Sequence, residues 1–103
     1  PSVRAAMNIK YSDDIVKVCT DLELLVSFYD RREEPPEVRI VEGMTTTWGA
    51  EEAVKRVKRV PDIIYHRGDF GKEPMVTVLG KTATEVVEKV SKISSMLTKT
   101  VLT

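Results

Sequence analysis

One short stretch of the chain, which follows a predicted strand, concentrates residues that could carry chemistry. It holds the single histidine of the sequence, His66, together with Arg67, Lys72 and two glycines, Gly68 and Gly71. Histidine is the side chain whose unperturbed pKa lies nearest neutrality, which makes His66 the predicted proton-transfer residue. Cationic side chains and closely approaching glycine N–H groups bind anions, so the stretch predicts a phosphate site. A charged hairpin loop that needs glycines only for its turns explains the same residues.

Two further polar segments also follow predicted strands or extended pieces. Residues 30–36 contain Arg31 in a run of five charged residues followed by two prolines, where an arginine could clamp phosphate and a carboxylate could hold Mg²⁺. Residues 42–49 lead into a predicted helix with free hydroxyls, among them Thr46, and with Trp48, which could stack on a flat ring. The alternatives are a self-neutralising solvated loop for the first segment, and a capping loop with a core tryptophan for the second.

The elements that must position these segments alternate between strand and helix patterns. Period-2 or continuous apolar runs predict strands, and an apolar stripe with period 3.6 predicts a helix. The predicted strands are residues 5–10, 24–29, 62–67 and 75–79, with a short extended piece at 38–41. Helices are predicted to begin after an N-cap at Ser12, near Gly49 and after Thr82, with the second ending near Arg59. Residues 98–103 show no pattern.

The order β-α-β-α-β-β-α predicts an α/β fold, namely a small mixed sheet of about four strands with helices packed on it. With 103 residues the chain is expected to form a single domain spanning 1–103. The chain begins at Pro1, and four strands are few for a sheet covered on two faces. Both points predict that part of the domain precedes this chain.

Composition narrows the classes of partner. Sixteen Lys and Arg balance sixteen Asp and Glu, and this zero net charge does not favour binding to nucleic acids or to anionic membranes. A hydrophobic content of 42% supports a packed core, and no apolar run reaches the roughly 20 residues of a membrane span. The single cysteine, Cys19, is expected to be an inert core thiol in a cytoplasmic protein. Charged residues at 31% and scarce amides are typical of heat-adapted proteins.

Five short segments stand in a fixed order along the chain: residues 7–12 (MNIKYS), 29–31 (YDR) with 34–35 (EP), 42–43 (EG) before 46–49 (TxWG), 60–65 (VPDIIY) and 71–75 (GKEPM). In register over residues 3–93, they resemble the ThiN-type thiamine-phosphate synthase domain of archaea and some bacteria. That domain is often fused behind a hydroxymethylpyrimidine/phosphomethylpyrimidine kinase, and elsewhere follows a DNA-binding helix-turn-helix. The family's domain carries a substantial segment before the first motif, so this chain resembles its C-terminal part.

The resemblance implies a transferase that joins hydroxymethylpyrimidine diphosphate to hydroxyethylthiazole phosphate and releases pyrophosphate. Such a reaction calls for cations at the departing pyrophosphate, a flat slot for the pyrimidine and Mg²⁺ on phosphate oxygens. Among the residues of the three polar segments, the predicted roles are reaction-centre residues (His66, Arg67), phosphate ligands (Arg31, Lys72) and close backbone or hydroxyl contacts (Thr46, Gly68, Gly71).

Two other functions fit the same resemblance. The chain could be a non-catalytic sensor that binds thiamine phosphates, or an inactive fragment that needs its missing N-terminal part. An exposed sheet edge, if the front of the domain is absent, would allow pairing with a second copy as a homodimer.

Overall fold

The computed structural model describes residues 3–39, 44–69 and 71–102, and these form a four-stranded mixed sheet with helices on both faces. The strands and helices follow the predicted order. In chain order they are β1 (Ala5–Lys10), α1 (Asp13–Asp21), β2 (Val26–Phe28), a 3-10 turn (Arg31–Glu33), α2 (Pro36–Arg39), α3 (Met44–Val57), β3 (Ile63–His66), β4 (Met75–Gly80) and α4 (Ala83–Leu102).

The sheet combines one parallel pair with two antiparallel pairs. Its strand order is β1-β4-β3-β2, so β1 and β2 form the edges. β3 and β4 form an antiparallel hairpin, and β1 adds antiparallel to β4. β2 runs parallel to β3, and the crossover between them carries α3. The predicted mixed sheet of about four strands is therefore confirmed.

The main core lies between the sheet and the pair α1 and α4. Val18 and Cys19 of α1 pack with the inward residues of β3 and β4 and with Val86 and Ile93 of α4. Alternation along β4 places Val76 on this face. Cys19 is fully buried, and burial raises the pKa of its thiol to about 11. The prediction that Cys19 is an inert core thiol agrees with this position.

Helix α3 covers part of the opposite face. Ser27, whose side chain points away from the main core, donates its hydroxyl to the carbonyl of Ala53 at 2.6 Å. Ala53 and Ile64 are buried at this contact. Beside it, an apolar cavity of about 500 Å³ lies between α3 and the strands, lined among others by Val54, Ile64 and Leu79.

Side-chain caps start two of the helices where the sequence predicted. Ser12 accepts a hydrogen bond from the Ile15 N–H at 3.1 Å and so caps α1. Thr82 accepts from the Glu85 N–H at 3.1 Å, and the Glu85 carboxylate accepts from the Lys81 N–H at 3.3 Å. This reciprocal arrangement is close to a capping box.

Three predicted boundaries are wrong. α3 begins at Met44 rather than near Gly49, and it ends at Val57 because Lys58 adopts a positive φ of 59°. Val38 lies in the helix α2 and not in an extended segment, since Pro36 suits the first position of a helix; the rest of the predicted extended piece lies partly outside the described residues. α4 continues through the supposedly patternless tail to Leu102. Within the described ranges, no helix is both long and apolar enough to cross a bilayer.

Candidate active site

The carboxyl ends of β2 and β3 lie side by side. Phe28 pairs in register with Tyr65, and the Tyr29 N–H donates to the Tyr65 carbonyl at 3.2 Å. Polar segments leave both strands at this edge, the 3-10 turn Arg31–Glu33 after β2 and residues 67–74 after β3. Open α/β sheets place their ligand sites beyond the carboxyl ends of parallel strands.

A cavity of about 350 Å³ opens between these two segments. Clefts that hold small molecules measure about 300–1,000 Å³, so the cavity can hold one. The polar segments that begin at Asp30 and His66 thus meet at one cavity, whereas Glu42, at the start of the third polar segment, lies outside the described residues. Aromatic and charged side chains line the cavity: Phe28, Tyr29, Asp30, Arg32, Tyr65, Arg67, Gly68 and Asp69.

Arg67 is anchored at the cavity by a residue from the start of the chain. Its Nε–H donates to the Tyr11 hydroxyl at 3.1 Å, and that hydroxyl donates to Asp13 Oδ1 at 2.6 Å. The Arg67 guanidinium also lies 5.8 Å from the centroid of the Tyr65 ring. The bond to Asp13 raises the pKa of Tyr11, so its hydroxyl stays protonated and continues to bridge Asp13 and Arg67. The contact engages Nε, and the terminal amino groups of Arg67 can donate to a phosphate.

Arg32 and Asp30, which also line the cavity, form a bidentate ion pair with each other. Arg32 Nη2 lies 2.8 Å from Asp30 Oδ2, and Nε lies 3.0 Å from Oδ1. The backbone N–H of Arg32 also donates to Oδ1 at 2.9 Å, so Asp30 caps the 3-10 turn. These bonds lower the pKa of Asp30 to about 2, which keeps the carboxylate ionised across the physiological range.

His66 lies beneath the cavity rather than on its surface. The ring is buried with 7% exposure, and its Nδ1 accepts the Gly68 N–H at 3.0 Å. Acceptance at Nδ1 assigns the imidazole proton to Nε2. Burial and the charge of Arg31 lower the pKa of His66, which favours the neutral ring that this bond requires.

Tyr29 joins His66 to helix α3. The Tyr29 ring lies 5.1 Å from the His66 ring and 5.8 Å, edge to face, from the Trp48 ring. Gly49 packs directly on Tyr29, because a Cβ at that position would lie 2.5 Å from Cζ of the ring. The charges of Arg31 and Glu34 both act on the Tyr29 hydroxyl, and Glu34 is buried. A packed layer of rings and charges therefore supports the floor of the cavity.

The loop after β3 is closed by a two-way backbone contact. The Lys72 N–H donates to the Asp69 carbonyl at 2.7 Å, and the Asp69 N–H donates to the Lys72 carbonyl at 3.2 Å. Gly68 and Gly71 both adopt positive φ, 77° and 72°. At Gly68 a Cβ would overlap the carbonyl oxygen of Lys72, so only glycine fits that turn.

Comparison with known proteins identifies the family. The family model described as "Thiamine-phosphate synthase ThiN" matches residues 1–92. The chain belongs to the ThiN family. It is 48% identical over 93 residues to the "Thiamine-phosphate synthase ThiN" of Methanothermobacter thermautotrophicus. The aligned residues make up 90% of this chain and 49% of the relative.

Further relatives carry this domain as part of a larger protein. The "Bifunctional thiamine biosynthesis protein ThiDN" of Methanocaldococcus jannaschii is 48% identical over 96 residues, which are 93% of this chain and 22% of the relative. A solved C-terminal domain of phosphomethylpyrimidine kinase superposes with a TM-score of 0.80 at 49% identity and covers 90% of this chain and 53% of that one. The chain therefore spans about half of the length of two of these relatives and less than a quarter of the third.

The structure brings some of the predicted ThiN site residues together and separates others. Arg67 and Gly68 line the cavity, His66 lies below it, and Arg31 acts on His66 from the same layer. Gly71 and Lys72 lie at the exposed tip of the loop. Thr46 was expected in a loop before a helix, but it is the third residue of α3.

Sequence reasoning missed most of the cavity wall. Arg32 lies in the second polar segment, but only its neighbour Arg31 was selected. Phe28, Tyr65 and Asp69 line the cavity as well, and Tyr11 anchors Arg67 from a segment that carried only the family resemblance. A signal for Phe28 and Tyr65 was present, because each is an aromatic residue near the end of a strand that leads into a charged loop.

Proposed function

We propose that this chain is the part of a ThiN thiamine-phosphate synthase that holds the phosphorylated substrates during transfer. The activity joins hydroxymethylpyrimidine diphosphate to hydroxyethylthiazole phosphate. The bond between the pyrimidine methylene carbon and the diphosphate oxygen breaks, and a bond from that carbon to the thiazole nitrogen forms, giving thiamine phosphate and pyrophosphate. The cavity walled by arginines and aromatic rings, in a chain of this family, carries the proposal.

The arginines of the cavity bind the diphosphate in this proposal. Arg67 and Arg32 both line the cavity, so phosphate oxygens bound there can accept from both guanidinium groups. Negative charge accumulates on the departing pyrophosphate as the carbon–oxygen bond breaks, and fixed cations stabilise that charge. Lys72, at the tip of the adjoining loop, can add a third cation.

His66 acts as a positioning residue in this proposal. Its Nδ1 holds the Gly68 N–H, and the turn held in this way contains Arg67. The neutral, buried imidazole supports the geometry of the turn from below the cavity. Arg31 lies in the same buried layer and, in this proposal, supports the floor rather than the phosphate.

Magnesium is proposed to enter with the diphosphate. Among the described residues no group of three His, Cys, Asp or Glu side chains could hold a metal ion alone. Asp30 and Asp69 are the carboxylates among the described residues that line the cavity. Mg²⁺ is commonly held by one or two carboxylates together with substrate phosphates, so a cavity carboxylate plus the diphosphate fits its needs. The ion would supply charge neutralisation at the phosphate oxygens.

The test measures thiamine phosphate formed from both phosphorylated precursors and Mg²⁺. The 103-residue chain and the complete reading frame that encodes it are assayed in parallel. Product from either form supports the synthase proposal, and product from the longer form alone assigns the missing contribution to the rest of the protein. If neither form turns over while thiamine phosphate raises the melting temperature, a sensor function replaces the proposal.

We propose two further properties of this chain, one from its relatives and one from its own sheet. The bifunctional relative and the kinase C-terminal domain support a kinase module in the same polypeptide. The two sheet edges, β1 and β2, offer surfaces for a homodimer.

A further inference from the structure

Three aromatic rings form a row with Tyr65 in the centre, and two of them, Phe28 and Tyr65, line the cavity. The centroid of the Tyr65 ring lies 5.6 Å from that of Phe28, with an angle of 29° between the planes, and 5.9 Å from that of Tyr11. Phe28 has 41% of its surface exposed, although it is a large apolar residue at the end of a strand. Phe28 is also one of the residues that line the cavity, so part of its surface is accessible to a ligand there.

Guanidinium groups accompany this row of rings. The Arg56 guanidinium lies 4.4 Å above the centroid of Phe28, and that of Arg67 lies 5.8 Å from the Tyr65 centroid. Aromatic rings attract cations to their faces, so these contacts hold positive charge beside the rings. Arg32 stands on the same cavity. The wall therefore presents flat apolar surface and anion-binding groups within one small space.

We propose that this aromatic row is the subsite for the ring of a phosphorylated heteroaromatic compound. The ring packs against the exposed part of Phe28 and against Tyr65, and its phosphate is bound by the guanidinium groups of Arg32 and Arg67. The identity of the compound rests on the proposed function, in which the pyrimidine and the thiazole both combine a flat ring with phosphate. Phe28 is thus the residue that distinguishes a ring-bearing phosphate from a simple one.

The experiment measures dissociation constants by calorimetry for three probes. These are hydroxymethylpyrimidine monophosphate, which lacks the diphosphate leaving group, hydroxyethylthiazole phosphate, and inorganic pyrophosphate, which has no ring. The variants are Phe28→Leu and Phe28→Tyr, with Val87→Ala as the control, because Val87 is an exposed apolar residue on α4. Melting temperatures establish that each variant is folded.

Phe28→Leu is expected to raise the Kd of at least one ring-bearing phosphate between about 5- and 100-fold, the range expected for loss of ring stacking. The Kd of pyrophosphate stays unchanged, Phe28→Tyr restores the ring-dependent affinity, and Val87→Ala has no effect. The ring-bearing probe that loses affinity identifies which of the two rings occupies the subsite.

Equal losses for pyrophosphate and for both ring-bearing probes would overturn the subsite, as would unchanged affinity for both rings or binding of none of the probes. The outcome is separable from that of the proposed function. Turnover with unchanged ring affinity in Phe28→Leu would leave the synthase and remove the subsite. Ring binding through Phe28 without turnover in any form would leave the subsite and remove the synthase.

Discussion

Replacing His66 with asparagine separates a positioning role from a proton-transfer role. The amide Oδ1 of asparagine lies three bonds from Cα, as Nδ1 of histidine does, so His66→Asn can still accept the Gly68 N–H. The asparagine side chain cannot transfer protons at neutral pH. His66→Ala, by contrast, removes the acceptor and leaves the turn at Gly68 without its support.

The structure sets the size of the expected stability changes. His66→Ala leaves the Gly68 N–H without its acceptor and opens a void where a ring with 7% exposure was packed against Tyr29. Together these losses amount to about 2–4 kcal/mol of unfolding free energy. For a chain of this size, each kcal/mol lowers the melting temperature by about 4–8 °C. His66→Asn keeps the hydrogen bond and should recover about 1–2 kcal/mol of that loss.

Turnover is measured for both variants in whichever form of the protein is active, alongside thermal unfolding. A positioning role predicts that His66→Asn keeps kcat/KM within about fivefold of the parent, since removal of a proton-transfer group reduces rates by roughly 10²–10⁴. His66→Ala is expected to lose both stability and turnover. The reasoning is refuted if His66→Asn is as stable as expected yet its turnover falls by that larger factor, because the imidazole would then have a chemical role.

Three other perturbations test the structure. Burial and Arg31 lower the pKa of His66 below its ordinary value of about 6.5, so the unfolded chain binds the proton first as the pH falls. Chemical denaturation should therefore show the free energy of unfolding decreasing from about pH 7 until the folded-state pKa is reached. His66→Asn should flatten that slope. Tyr11→Phe removes the acceptor for Arg67 and should lower kcat/KM about 5- to 100-fold while unfolding free energy changes by about 1 kcal/mol or less; an unchanged kcat/KM would remove the positioning role of Tyr11. Gly49→Ala gains about 1 kcal/mol of helix propensity but forces a Cβ against the Tyr29 ring, which destabilises the fold by about 1–3 kcal/mol. The melting temperature should therefore fall, and a rise would contradict the close packing.

The sequence predicts the strands and the helix caps because their signals are local. Alternating or continuous apolar runs mark β2, β3 and β4, whereas β1 is a short mixed segment. Ser12 and Thr82 carry the side chains that cap the helices which follow. The start of α3 was missed for a tertiary reason. Gly49 is typical of a helix boundary, yet it lies inside α3 because the Tyr29 ring occupies the space where a side chain would be.

The candidate site could be predicted only where its residues share one segment. Arg67 and Gly68 stand together in a loop rich in charge and glycine, so composition selected them. Burial of His66 could not be inferred, because it depends on how Tyr29 packs against Trp48 and Gly49 from another element. A lone histidine near glycines has the same sequence pattern whether it faces a ligand or supports a turn.

The anchor of Arg67 shows why the first strand and helix belong to the site although they line none of its walls. Tyr11 lies between β1 and α1, and 56 positions separate it from the arginine that it orients. Its hydroxyl is held in turn by Asp13, in the first turn of α1, so the start of that helix fixes the arginine through two hydrogen bonds. A cavity arginine on a glycine-containing loop would otherwise sample many rotamers, and ordering it in advance reduces the entropy lost when phosphate binds. The motif around residues 7–12 is therefore understood as part of the phosphate site through its position, and not through any ligand contact of its own.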